Sequence, residues 1–166
     1  MRHVISILLQ NEAGALARVA SLFSTRGYNI ESLSVAATED SQVSRLTLVS
    51  IGSDQVINQI TQQLFKLVDV VNIADMTLGD HIERELLLLK LRVPESGGDQ
   101  VRELVAQQDA RVLDDTLANY TLELTGSGGQ LDEFIDRISM TADILAVVRS
   151  GPLSVARGQQ VLSASI

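Results

Sequence analysis

Hydrophobic and polar positions follow first a strand period and then a helix period near the start of the chain. An apolar run predicts a strand from Val4 to Leu9, and from Ala15 the apolar residues recur at helical spacing. The predicted helix runs from Ala15 to Arg26 and stops at Gly27, because glycine suits the position just beyond a helix. Its expected buried face consists of Leu16, Val19, Ala20 and Phe23.

The following residues predict two strands, a second helix and a third strand. Ser53 is suited to be the N-cap of that helix, whose apolar residues recur on one face. The expected bounds are strands 30–37 and 44–51, a core helix face of Ile57, Ile60, Leu64 and Leu67, and a strand 68–78. The order of the first half is therefore βαββαβ.

The second half repeats this order at a distance of about 80 residues, which suits a duplicated small domain rather than a solenoid. The predicted elements are strand 86–93, helix 100–107, strands 110–114 and 120–125, a helix on Leu131, Phe134, Ile135 and Ile138, and strand 144–148. We predict an α+β chain of two tandem ferredoxin-like domains, residues 1–78 and 79–166, joined by residues 79–82.

The second strand of the first half, IESLSVAA, falls at a sheet edge in this fold. It carries one charge and neither Pro nor Lys, the devices that usually protect such an edge. We expect it to pair with the same strand of a second copy in a homodimer. The alternative is that a loop or the second domain covers it.

Composition excludes several classes of protein. A formal net charge of −8 and only 3% aromatic residues argue against a nucleic-acid partner. No run approaches the roughly 20 apolar residues of a membrane span. The N-terminal segment resembles no signal peptide, and the chain has no cysteine, so we expect a cytoplasmic protein without a membrane partner.

Catalytic and metal-binding patterns are scarce. His3 and His81 lack the serine and acid context of a triad, and His3 is expected to be exposed or paired with a structural partner. The acidic pairs lack the spacing of a Ca²⁺ loop. The glycine-rich TGSGGQLDEF could hold an anion at a helix start, although turn geometry explains it as well. We therefore predict no catalytic residue and no metal ligand in this chain.

The strongest candidate for binding is the polar corner between the first strand and helix. Unpaired N–H groups at a helix start attract a carboxylate, and Gly14 permits a close approach. Asn11 offers an oxygen for an ammonium and an NH₂ for a carboxylate. The corner thus has the parts of a site for a free α-amino acid, and ordinary turn chemistry explains the same residues equally well.

Several motifs resemble a known family, in order and at its spacing: NEAGAL, LFS, RGYNIESL, TED, SRLT, QLFKLVDVV, ERELLLLK and a closing RSG…ARG. Together they are similar to the small, regulatory subunits of acetolactate synthase (acetohydroxyacid synthase), whose N-terminal domain is an ACT domain. The likeness covers nearly the whole chain. It implies that residues 1–78 bind the effector and dimerise.

The resemblance implies a regulatory role without chemistry of its own. The partner would be a large catalytic subunit, which carries thiamine diphosphate, Mg²⁺ and FAD, so that this chain holds no cofactor. The chain would activate that subunit and confer feedback inhibition by L-valine or a related branched-chain amino acid. The family's effector site lies between two ACT domains and corresponds here to Asn11, Gly14, Ala15 and Leu16 of one copy and Asn29 and Ile30 of the other.

The roles expected at this site remain those of the family. Gly14 to Leu16 would bind the effector carboxylate, and Asn11 would orient it or the ammonium. Asn29 would add a polar contact, and Ile30 would contact the isopropyl group or simply pack in the core. A free-standing amino-acid sensor with ACT domains and a small enzyme on the same scaffold are the alternative functions.

Overall fold

The computed structural model describes residues 1–158 and 161–164, which form two compact units. The first unit comprises Met1–Ile82 and the described residues that follow Gly151, and the second comprises Glu83–Gly151. Both units are mixed α/β, and the predicted βαββαβ order is confirmed in each.

The first unit is a four-stranded antiparallel sheet with the strand order β2-β3-β1-β4. Its elements are β1 (Arg2–Gln10), α1 (Ala15–Thr25), β2 (Ile30–Ala37), β3 (Val43–Ile51), α2 (Asp54–Leu64) and β4 (Val70–Asp75). Side chains of alternate strand positions, such as Ile5 and Ile7, pack against Val19 and Phe23 of α1 and against α2. Both helices therefore cover the same face of the sheet.

The ends of the first unit's helices follow local chemistry. Gly27 has a φ of 71° just beyond α1, as expected of the residue that ends a helix. The Ser53 side chain accepts a hydrogen bond from the Val56 N–H and caps α2, as predicted. The predicted buried face of α1 is confirmed at Val19 and Phe23 and is wrong at Leu16, which is 37% exposed, whereas Ala15 is buried.

The second unit has the strand order β6-β7-β5-β8. Its elements are β5 (His81–Arg92), α3 (Gly98–Gln107), β6 (Arg111–Asp114), β7 (Tyr120–Gly126), α4 (Gly128–Ser139) and β8 (Asp143–Arg149). Leu87, Leu89 and Leu91 of β5 pack with Leu131, Phe134 and other residues of the helices in a separate core.

The structure differs from the prediction chiefly at three places. Strand β5 begins at His81, inside the predicted joint of residues 79–82, and not at Leu86. The strand expected at 68–78 is shorter: Val68 is 82% exposed, and the Asp75 side chain caps a 3₁₀ turn, Met76–Leu78, by accepting the Thr77 N–H. A ninth strand, β9 (Leu153–Ala156), was not predicted. It belongs to the first unit, so the predicted domain of residues 79–166 extends too far at its C-terminal end.

No helix within the described residues is long and apolar enough to cross a membrane.

Candidate functional site

The corner between β1 and α1 is a short exposed turn that is tied to the neighbouring hairpin. The backbone N–H of Asn11 donates to the Gln42 carbonyl (2.7 Å), and its side-chain NH₂ donates to the Ser41 carbonyl (2.9 Å). One of the two N–H groups of the side-chain amide, which was predicted to contact a carboxylate, is therefore already used. The side-chain oxygen of Asn11 remains as an acceptor, which suits an ammonium group.

Gly14 begins α1 in a conformation that other residues adopt only with strain. Its φ is 91° and ψ is −13°, in the left-handed region, and no side chain caps the helix. The Ala15 N–H turns back to the Glu12 carbonyl (3.3 Å). The first-turn N–H groups of α1 thus meet no capping side chain at an exposed corner, and the helix dipole places partial positive charge there.

Arg18 adds a full positive charge to this corner and was missed by sequence reasoning. Its Nε and Nη2 atoms donate to the two carboxylate oxygens of Asp69 (2.5 and 2.7 Å). The remaining nitrogen, Nη1, lies 2.8 Å from the position that a Cβ on Gly14 would occupy. Glycine at position 14 therefore leaves room for the guanidinium beside the helix start.

Asp69 holds this guanidinium from a buried position. The hydrogen bond from Arg18 outweighs the opposing effect of burial and lowers the pKa of Asp69 below its ordinary value of 3.8. A cation beside a helix N-terminus is unfavourable on its own, because the helix dipole is positive there. An anion bound at the corner would interact favourably with the helix dipole and could accept a hydrogen bond from Arg18 Nη1, the nitrogen that does not donate to Asp69.

The other predicted site residues lie partly at the corner and partly on β2. Ala15 is 3% exposed, so only its backbone could face a ligand, whereas the Leu16 side chain lies at the surface. The exposed Asn29 donates through Nδ2 to Glu31 Oε1 (2.7 Å), and its carbonyl accepts from Ser50 Oγ (2.8 Å). Ile30 is half-buried and packs against the core, in line with the alternative interpretation of that residue.

Strand β2 lies at the edge of the sheet, as predicted. Its apolar residues Leu33 and Val35 are 37% and 44% exposed. An edge with exposed apolar side chains and unpaired backbone groups is suited to pair with another strand.

The residues considered for catalysis have structural partners. His3 is buried, with Nδ1 3.0 Å from Asp75 Oδ2 and Nε2 3.3 Å from Asp54 Oδ1. The glycine-rich turn before α4 forms a reciprocal capping box between Ser127 and Gln130. In the residues that the structure describes, no cluster of His, Asp and Glu is arranged to hold a metal ion.

Comparison with known proteins identifies both halves. A family model described as an AHAS small subunit-like ACT domain matches residues 5–72, and one described as small subunit of acetolactate synthase matches residues 84–158. The acetolactate synthase isozyme 3 small subunit of Escherichia coli (strain K12) is 43% identical over 162 residues, which cover 98% of this chain and 99% of that protein.

Two further acetolactate synthase small subunits are similar to this chain over nearly its whole length. The acetolactate synthase small subunit of Haemophilus influenzae is 42% identical over 96% of this chain and 98% of its own length. The crystal structure of the small subunit from Thermotoga maritima matches with a TM-score of 0.84 and 30% identity, over 96% of this chain and 99% of that one. The chain therefore belongs to the family of acetolactate synthase small subunits.

Proposed function

We propose that this chain is a regulatory subunit that binds L-valine, or a related branched-chain amino acid, at the corner between β1 and α1. The bound effector would inhibit a large catalytic subunit that this chain otherwise activates. Membership of the small-subunit family supports the regulatory role. The observation that carries the site is the uncapped start of α1, where Gly14 lies beside the Arg18 guanidinium.

The corner offers complementary groups for each part of an α-amino acid. The effector carboxylate would accept hydrogen bonds from the N–H groups at the start of α1 and from Arg18 Nη1. The ammonium would donate to the side-chain oxygen of Asn11. The exposed side chain of Leu16 would contact the apolar side chain of the effector.

A second copy of the chain would complete the site. We propose that β2 of one copy pairs with β2 of another, which would bring Asn29 and Ile30 of the second copy to the corner of the first. In this homodimer the exposed Leu33 and Val35 become buried. Each effector would then contact both copies, so that binding depends on the dimer.

The chemistry would belong to the catalytic partner. That subunit would carry thiamine diphosphate, Mg²⁺ and FAD, and this chain would bind no cofactor. Coupling between effector and catalysis needs only about 1–3 kcal/mol, which corresponds to a roughly 5- to 150-fold change in affinity. A pocket distinguishes branched side chains that differ by one methylene by a similar ~1–3 kcal/mol.

Replacement of the ammonium acceptor tests the proposed site. We expect Asn11→Ala to raise the valine concentration for half-inhibition of the reconstituted enzyme at least about tenfold, because a hydrogen bond to a charged group is lost. Activation of the catalytic subunit without valine should be unchanged. Asn58→Ala, an exposed asparagine on α2, is the matched control.

Each outcome of this experiment has a clear meaning. Unaltered inhibition of the Asn11→Ala enzyme would place the effector site elsewhere. A chain that binds valine but does not change the activity of any catalytic subunit would favour the alternative function of a free-standing sensor.

A further inference from the structure

The sheet of the first unit has a second face that neither α1 nor α2 covers. Both helices pack on the face that carries Ile5 and Ile7, whereas Val4 and Val49 point to the opposite side. These two side chains are nevertheless at most 3% exposed, and Ala156 of β9 packs against them with Met76. The C-terminal segment, which is residues 152–158 and 161–164, therefore takes part in covering this face.

Polar contacts hold the C-terminal segment in place. Arg45 Nη2 donates to the Leu162 carbonyl (2.8 Å), and Asn72 Nδ2 donates to the Ser163 carbonyl (3.0 Å). The Arg157 side chain pairs with Asp80 (3.0 Å). Both carbonyl contacts originate from side chains of the sheet, so the segment lies across strands β3 and β4.

A cavity of about 460 Å³ lies beneath this segment. Its volume is in the range of small-molecule sites. Most of its wall is apolar, and the side chains that could contact a ligand are those of Met76, Leu78, Val155, Val161 and Leu162, with Arg45 as the cation.

Arg45 is the unusual member of this wall. The half-buried guanidinium donates to two neutral acceptors, Ser6 Oγ (3.2 Å) and the Leu162 carbonyl, and three of its five N–H groups remain. Among the described residues no carboxylate lies within ion-pair distance of it, in contrast to Arg18 and Arg149. A cation that is partly removed from water is stabilised more by an anionic hydrogen-bond acceptor than by a neutral one.

The acidic residues beside the cavity are already paired. Asp75 accepts the Thr77 N–H and lies 3.0 Å from His3 Nδ1, and Asp80 is held by Arg157. An ammonium group in the cavity would therefore meet no unpaired carboxylate from the described wall, which makes a zwitterionic amino acid a poor ligand.

We propose that this cavity binds a small monocarboxylate with an apolar body and no ammonium group. Its carboxylate accepts hydrogen bonds from Arg45, and its body lies against Met76, Leu78 and Val155. Because Arg45 also contacts Leu162, the ligand stabilises the C-terminal segment on the sheet. This site is separate from the corner at Gly14. It binds a monocarboxylate, whereas the corner is proposed to bind an α-amino acid.

The test uses 4-methylpentanoate as the probe. The protein is the full-length Asn11→Ala chain, which should bind amino acids only weakly at the corner between β1 and α1. The Nε–H signal of Arg45 reports binding at this position in ¹⁵N-edited NMR. The probe has about eight non-hydrogen atoms, so we expect a Kd of about 1 mM. The chemical shift of the Arg45 Nε–H signal should therefore change and reach saturation as the probe is added. The amide 4-methylpentanamide lacks the charge, and L-leucine adds the ammonium to the same skeleton. Both should bind at least about tenfold more weakly.

Two variants separate binding from folding. Leu78 is 74% exposed, so Leu78→Trp should fill the cavity from its rim and abolish the shift while Arg45 stays in place. Asn58→Ala on α2 changes no residue of the cavity wall and should keep the Kd within about twofold. Three results would each overturn the proposal. They are a chemical shift that does not saturate with the probe, binding of the amide as tight as that of the carboxylate, and unchanged binding of the probe by Leu78→Trp. None of these results depends on valine inhibition.

Discussion

The two units begin their first helices with glycine for opposite physical reasons. In the first unit Gly14 is exposed and left-handed, and the space where a side chain would go holds the flexible end of Arg18. In the second unit Gly97 is buried, with a φ of −98°, and a Cβ there would lie 2.7 Å from the backbone oxygen of Thr141. One glycine leaves a corner open, and the other permits close packing.

The second helices of the two units show what an ordinary helix start looks like in this chain. Ser53 and Ser127 accept the N–H groups of α2 and α4. Neither Gly14 nor Gly97 provides such a side-chain cap. Arg102 lies near Gly98 at the start of α3, but Gly97 and Gly98 are buried there. Among the helix starts that the structure describes, the corner at Gly14 is the uncapped one whose glycine is exposed, so the repeat of the fold does not repeat the proposed site.

The largest expected effect concerns the edges of the two sheets. Val35→Lys places a charge in the middle of β2, and like charges would face each other across the proposed dimer. We expect the dimer dissociation constant to rise at least about a hundredfold, because opposed like charges cost several kcal/mol. Valine inhibition should disappear with the dimer, since Asn29 and Ile30 come from the second copy.

The matched control is Val112→Lys on β6, the edge of the second unit, where the valine is 39% exposed. Sedimentation velocity should show a dimer for this variant and a monomer for Val35→Lys. A dimeric Val35→Lys chain would contradict pairing through β2.

Charge at the corner should have the next largest effect. Gly14→Asp places a carboxylate beside Arg18 and the helix start, where it competes with the effector. We expect the half-inhibitory valine concentration to rise at least about a hundredfold, because several charge-assisted hydrogen bonds are lost. Gly14→Ala introduces similar backbone strain, about 1–2 kcal/mol, without the charge, and should change inhibition less. Equal inhibition of the Gly14→Asp and unsubstituted enzymes would exclude the corner.

The corresponding glycine of the second unit should affect stability rather than inhibition. A Cβ on Gly97 meets backbone that moves little, so Gly97→Ala should lower the free energy of unfolding by about 2–3 kcal/mol. Valine inhibition of the folded variant should be unchanged. Urea unfolding followed by circular dichroism measures the first quantity, and a stability equal to that of the unsubstituted chain would refute the close-packing role.

A smaller, pH-dependent effect is expected at Arg18. The folded chain lowers the pKa of Asp69, so its ion pair contributes full stability above the ordinary value of 3.8 and loses it as the pH falls through the lower folded value. The stability advantage of the unsubstituted chain over Arg18→Gln should therefore be larger at about pH 7 than at about pH 3. Urea midpoints at the two pH values measure it, and a constant difference would show that Asp69 does not depend on Arg18.

The order of elements could be predicted because hydrophobic period and turn residues are local properties. Gly27 and Ser53 marked helix ends correctly for that reason. The bounds of β4 could not be found this way, because the apolar Val68 extends the pattern although it lies in solvent. Strand β9 was missed because its short apolar segment becomes a strand by pairing with β5, which lies far away in sequence.

The candidate site was predictable in part for the same reason. Asn11 and Gly14 stand out at a strand-to-helix corner, where local chemistry is informative. The contribution of Arg18 depends on Asp69, 51 residues further along the chain, and no local pattern joins the two. The choice between Ala15 and Leu16 as the buried residue depends on a small rotation of α1 about its axis, which spacing alone does not fix.

The most direct test of the account is a calorimetric titration of the full chain together with its catalytic subunit. L-valine and D-valine are compared on the unsubstituted chain and on Asn11→Ala. The account predicts saturable binding of L-valine, much weaker binding of D-valine, and a loss of L-valine affinity in the variant. Equal binding of L-valine by both chains would contradict an effector site at the corner between β1 and α1.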